Sequence, residues 1–114
     1  MASDSISHIV TEKLDKNNFQ AWKFRMTNFL MGKGYWEFIT GNEVEPVLSN
    51  APNQQEMQAL KGWHERARKV MYWLSISISD SMIVHIQDAS MPEAWDTLAK
   101  MYSTNTQAKK MQLK

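Results

Sequence analysis

The sequence predicts an all-α domain, a compact bundle of about five or six helices of unequal length. Three observations carry that prediction. Between Asn53 and Ser79 the apolar residues Met57, Leu60, Trp63, Ala67, Val70, Met71, Leu74 and Ile78 step by three or four, with one adjacent pair, the spacing of one helix face. Gly and Pro are scarce (four and three) while Trp and Phe are plentiful (five and four), a balance that disfavours a turn-rich β fold. Two capping boxes, Asn53 with Glu56 and Ser90 with Glu93, mark helix starts.

At 114 residues the chain fits a single domain over 1–114. Folding at this size removes roughly two-thirds of the unfolded surface from water, enough for a core without staples. There is no cysteine, which excludes disulfides, zinc knuckles, Fe-S clusters and thiol nucleophiles within these residues. Thirteen Lys and Arg against 12 Asp and Glu leave a formal charge of +1, so any nucleic-acid or acidic-membrane contact would need a local patch. The longest apolar runs fall far short of the roughly 18 residues of a spanning helix. The opening MASDSISHIV has neither a basic n-region nor an apolar h-region, and Ala2 excludes myristoylation.

In chain order, residues 1–7 are small and polar and are expected to be disordered. His8 to Leu14, with Ile9, Val10 and Leu14, is expected as a short extended segment. Asn17 is then read as the cap of a helix running to about Met31, with Gln20 at the capping-box position and Gly32 or Gly34 as its stop. Its apolar face is Phe19, Trp22, Met26, Phe29 and Leu30, leaving Lys23, Arg25 and Asn28 to water. Tyr35 to Ile39 forms a short helix closed by Gly41. Thr40 to Pro52 is an ordered, irregular connection. The central helix starts at Asn53 and becomes apolar on most sides from Val70, where Tyr72, Trp73 and Ile76 join the stripe.

The end of that helix has two readings. Leu74, Ile76 and Ile78 alternate with Ser75, Ser77 and Ser79, which is also the pattern of a half-buried strand. Helix is preferred because the preceding turns are helical and no hairpin signal follows, and the strand reading stays open. Asp80 then caps a short helix to about Ile86, with Met82, Ile83 and Ile86 inward. Ser90 caps the next, where Trp95, Leu98, Ala99 and Tyr102 form the buried stripe. Asn105 or Thr106 begins a last helical segment over 105–114, leading toward a second lobe.

Chemistry finds little support. His8, His64 and His85 have no metal-ligand spacing. No G-x-S-x-G elbow surrounds Ser75, Ser77, Ser79 or Ser81. Asp80, Asp88, Glu93 and Asp96 are explained by caps and first turns, and no Gly-rich phosphate loop is present, so the sequence reads as that of a non-enzyme with no metal and no cofactor. The core candidates are Phe19, Trp22, Trp63, Val70, Leu74, Trp95 and Leu98. Tyr35, Trp36 and Phe38 are candidates for a partly exposed protein contact, since a short helix cannot easily bury three rings. Nine methionines supply adaptable filler, with Met26, Met71 and Met82 read as core. Lys109, Lys110 and Lys114 give the last segment a basic edge that could touch RNA weakly, although a solvated face is the simpler account.

Three blocks in order resemble the Gag proteins of copia-type long-terminal-repeat retrotransposons, especially those of plants. They are KLDKNNFQAWKFRMTNFLMGKGYWEFITG from Lys13, ARKVMYWLSISISDSMIVHI from Ala67 and EAWDTLAKMYSTNTQAKKMQLK from Glu93. The resemblance implies the N-terminal lobe of a capsid domain, related to retroviral capsid, that self-associates into cytoplasmic virus-like particles around element RNA. It also implies that RNA is bound mainly outside this chain, which carries no C-x-x-C-x-x-x-x-H-x-x-x-x-C knuckle. Neither a protease D-[ST]-G nor a polymerase Y-x-D-D motif is present. The implied partner is another copy of the chain, with no membrane. The alternative is a domesticated Gag derivative binding a host peptide or protein in a groove between the first and central helices.

Overall fold

The fold was analysed in a computed structural model that describes the backbone of residues 5–112 and the side chains of residues 6–102. Six helices are present among the described residues and no strand: α1 (Ser5–Thr11), α2 (Phe19–Lys33), α3 (Trp36–Thr40), α4 (Gln54–Ile76), α5 (Asp80–Ile83) and α6 (Met91–Gln112). The all-α expectation holds, and its corrections concern where individual helices begin and end.

The segment expected to be extended begins as helix α1, which reaches back into the stretch expected to be disordered; residues 1–4 of that stretch lie outside the described residues. Ile6 and Ile9 explain the helix: three residues apart, they share one face, Ile9 buried in the core and Ile6 packed against it, while Ser7 and His8 between them stay exposed. After α1 the turn at Lys13 to Asn18 closes on itself. Asn18 Oδ1 accepts from the Asp15 amide at 2.8 Å, Asn18 Nδ2 donates to the Lys13 carbonyl at 2.9 Å, and Asp15 Oδ1 accepts from the Asn17 amide at 2.7 Å. The cap residue of α2 is therefore Asn18 rather than Asn17, and its side chain serves the turn instead of the helix start. Gly34 ends α2 at φ +82°, where a Cβ would be strained, and Gly41 ends α3 at φ +89° in the same way.

α4 carries the capping box in full: the Glu56 amide donates to Asn53 Oδ1 at 2.7 Å, and Glu56 Oε1 accepts from the Asn53 amide at 2.9 Å. At its other end each of the two readings holds for part of the alternating stretch. The helix runs to Ile76, Ser77 terminates it, and Ile78 is already extended, forming an isolated parallel bridge with Leu14. Ser77 is fully buried and all its polar atoms are used. Its amide and its Oγ both donate to the Leu74 carbonyl, at 3.1 and 2.8 Å. Its carbonyl accepts from the Leu14 amide at 2.8 Å and from Trp22 Nε1 at 3.2 Å. A buried carbonyl that has left the helix ladder needs such donors, and the start of the chain and α2 supply them.

The turn that follows is shorter than expected. α5 ends at Ile83, and the chain continues to Ala89 through tight three-residue bonds, among them His85 amide to Met82 carbonyl and Ile86 amide to Ile83 carbonyl, both 3.0 Å. At α6 the Ser90 amide donates to Glu93 Oε1 at 3.0 Å and the Glu93 amide to Ser90 Oγ at 3.3 Å, the second capping box. α6 then runs without a break to Gln112, so the separate segment expected from Asn105 or Thr106 is a continuation of it.

The core lies where α2, the second half of α4 and α6 meet, with Met26, Leu30, Val70, Leu74, Ala94 and Leu98 fully buried. α3 sits on α2 and α6. No residue of α4 before Ala67 is buried, so its first three turns form an arm. The connection 42–52 lies back along that arm as a strap. Trp63 Nε1 donates to the Glu43 carbonyl at 3.2 Å, Arg66 pairs with Glu43 at 3.6 Å, His64 with Glu45 at 3.2 Å, and Ser49 Oγ donates to Glu56 Oε1 at 3.0 Å.

Candidate interaction surfaces

The three rings of Tyr35 to Phe38 do not form an exposed contact patch. Phe38 is buried in the core, and Tyr35 and Trp36 are half-buried. Successive residues of a one-turn helix point about 100° apart, and here each direction has a ring waiting. Tyr35 stacks on Trp73 of α4 with centroids 5.6 Å apart, Trp36 meets Trp95 of α6 edge-on at 5.2 Å, and Phe38 packs against Trp63 of α4 at 5.6 Å. The reading of Phe38 as a contact residue is therefore corrected to core; α3 works as a wedge that two longer helices close upon. That outcome was hidden in the sequence because Trp73, Trp95 and Trp63 are distant along the chain.

Among the core candidates, Phe19, Trp22, Val70, Leu74 and Leu98 are buried. Trp63 and Trp95 are half-buried, packed on the core from its edge. Trp22 lies between Phe19, at 6.3 Å, and Trp95, at 5.3 Å. Phe29 meets Trp73 of α4 edge-on at 4.8 Å. The Lys109 and Lys110 side chains, and Lys114 altogether, lie outside the described residues.

The titratable groups serve structure. Glu56 is held below its ordinary carboxylate range by the Asn53 amide first and by the Ser49 hydroxyl next. Tyr102 is pushed up, chiefly by burial and secondarily by the Asp15 carboxylate nearby. Arg66 lies with its guanidinium 5.5 Å over the Phe38 ring, and its buried Nε has no hydrogen-bond partner. No group of His, Asp and Glu among the described residues is arranged to hold a metal ion. No described helix is long and apolar enough to cross a membrane.

What the surface does offer is exposed apolar side chains. Phe24 (71 % exposed) and Met31 lie on the outer face of α2. Val44, Val47 (91 % exposed) and Leu48 lie on the strap, with Met57 on the arm beneath it. Tyr72 and Val84 complete the set. Sequence reasoning missed these residues as a group: Phe24 falls between Trp22 and Met26, off the α2 stripe, whereas Met57 and Tyr72, read on the stripe of the central helix, are exposed instead. Open grooves of about 330 and 270 Å³ flank Phe24 on its two sides. Another, of about 450 Å³, lies beside Met57, lined by Gln54, Gln58 and Lys61.

Apolar side chains left exposed on the outer faces of a helical body mark candidate surfaces for protein contact. Residues 26–114 match the family described as gag-polypeptide of LTR copia-type, and residues 2–47 match a second family of the same description. The chain belongs to the copia-type Gag polypeptides of LTR retrotransposons. No curated protein matches it, and no solved structure does. Gag polypeptides are structural, so the function is of that kind.

Proposed function

We propose that this chain is a capsid-type lobe of a copia-type Gag that assembles with copies of itself into cytoplasmic virus-like particles. Membership of the Gag family over most of the chain is the observation that carries the reading. The exposed apolar side chains on two separate faces support it, because a unit that builds a shell must be held by more than one neighbour. Contacts of this size are individually weak and are multiplied in an assembly. RNA is packaged mainly by Gag regions outside this chain, with Lys109, Lys110 and Lys114 adding weak phosphate contacts at most.

The test is multi-angle light scattering on the purified chain over a wide concentration range, with negative-stain microscopy at the highest concentration. Concentration-dependent oligomers, rings or particles are expected. A chain that stays strictly monomeric throughout would refute self-assembly through this lobe.

A further inference from the structure

Six of the eight large exposed hydrophobics fall into two patches, and the patches differ in charge. The first is the outer face of α2, with Phe24 and Met31. α2 contains Lys23, Arg25 and Lys33 and no acidic residue at all. None of these cations pairs with a carboxylate among the described residues; Lys23 and Lys33 rest over the Phe19 and Phe29 rings instead, at 6.0 and 5.6 Å. The second patch is the strap and arm, with Val44, Val47, Leu48 and Met57. Residues 42–66 carry Glu43, Glu45, Glu56 and Glu65 against Lys61 and Arg66, and the strap itself has no cation.

The strap is built to hold its aliphatic residues outward. Glu43 and Glu45 turn in to Arg66 and His64 on α4, so Val44 between them turns out, and Pro46 and Pro52 stiffen the chain on either side of Val47 and Leu48. The strap backbone that presents Val47 is tied to α4 at Glu43, Glu45 and Ser49, which lowers the cost of ordering it on binding. Phe24 stands between two open grooves, and the arm has another open groove beside Met57.

We propose that the strap and arm of one copy dock on the α2 face of a second copy, with Val47 and Leu48 entering the grooves beside Phe24 and the net negative segment 42–66 facing Lys23 and Arg25. This deepens the self-assembly reading and rests on it. Because the two surfaces are different, the contact is head-to-tail, and each copy keeps one of each free for the next neighbour. A single-stranded RNA on α2 would use the same cations and stack on Phe24, but it would leave the aliphatic strap with no role.

The experiment uses two variants at exposed positions, Phe24→Asp and Val47→Asp, each checked for native helicity by circular dichroism and then followed by sedimentation velocity. Each alone is expected to raise the dissociation constant of self-association by at least about tenfold. An equal mixture is expected to form one-to-one dimers and nothing larger, since the intact arm of the Phe24 variant fits the intact α2 face of the Val47 variant while both remaining surfaces are damaged. If the parent chain associates and the folded variants associate equally well, the proposed interface is wrong and self-assembly stands. A parent chain that never associates overturns both. If only Phe24→Asp has an effect, and that effect is lost anisotropy of a fluorescent single-stranded 20-nucleotide RNA, the α2 face is a nucleic-acid site and the docking proposal falls.

Discussion

Replacing Trp22 by Phe tests the claim that Ser77 is the junction at which the start of the chain, α2 and the end of α4 are tied. Trp22 is 1 % exposed, and its Nε1 donates to the Ser77 carbonyl at 3.2 Å. Phenylalanine leaves about 40 Å³ unfilled, which at about 24 cal/mol per Å³ costs about 1 kcal/mol. Losing the hydrogen bond costs about 1 kcal/mol more, and no orphan acceptor is left because the Leu14 amide still donates to the same carbonyl. The shorter stacking contact with Trp95 adds about 0.5 kcal/mol. The variant is expected to be less stable by about 2.5 kcal/mol, a fall in Tm of about 8–15 °C for a domain of this size. Trp63→Phe is the matched control: its Nε1 also donates to a carbonyl, that of Glu43 at 3.2 Å, but the ring is half-buried and water can replace the bond. That change should cost about 1 kcal/mol or less. Urea melts followed by circular dichroism measure both. If the Trp22 variant were no less stable than the Trp63 variant, the argument that the buried junction holds the three segments together would fail.

Further expectations concern the wedge, the glycines and acid. Trp36→Ala removes the edge-on contact with Trp95 and should cost about 2 kcal/mol, less than for a fully buried ring, read as a lower urea midpoint. Gly62 lies inside α4 with open space where a Cβ would stand, so Gly62→Ala should stabilise by about 0.5–1 kcal/mol. Gly41→Ala should instead destabilise by about 1–2 kcal/mol, since φ is +89°, although the nearest atom, Pro92 Cγ, is at an ordinary 3.8 Å; paired thermal melts would show opposite signs. The Glu56 pKa is lowered in the folded chain, so its contribution is present above the ordinary carboxylate value and is lost as pH falls through the folded value. Acid titration monitored by NMR should therefore show residues 49–56 loosening below about pH 4.5 before the core melts, and Glu56→Gln should remove that step.

The parts of the fold that local chemistry determines were legible. Both capping boxes form because donor and acceptor are three residues apart, and the α4 stripe from Ala67 to Leu74 is buried as its spacing requires. The misread parts depend on distant partners. α1 turns only Ile6 and Ile9 to the core, one step of three, too short a run for a helical period to show. The end of α4 is neither all helix nor strand, because the extended Ile78 finds Leu14 rather than a hairpin neighbour. Phe38 reads as a candidate for a partly exposed contact because the rings that cover α3 belong to α4 and α6. Of the candidate surfaces, only Lys23 and Arg25 could be placed outward from periodicity; that Val44 and Val47 face out depends on Glu43 and Glu45 finding Arg66 and His64.

The pairing of Leu14 with Ile78 also sets an order in time. The two residues are separated by most of α2, α3, the strap and α4, so no local event can bring them together, and the closure entropy of the whole intervening chain must be met first. During synthesis at about 5–20 residues per second, Leu14 waits roughly 3–13 s for its partner to be made. Over that interval Trp22 of α2 has neither the Ser77 carbonyl nor the Trp95 ring to receive it, and the core closes only once α6 has followed α4.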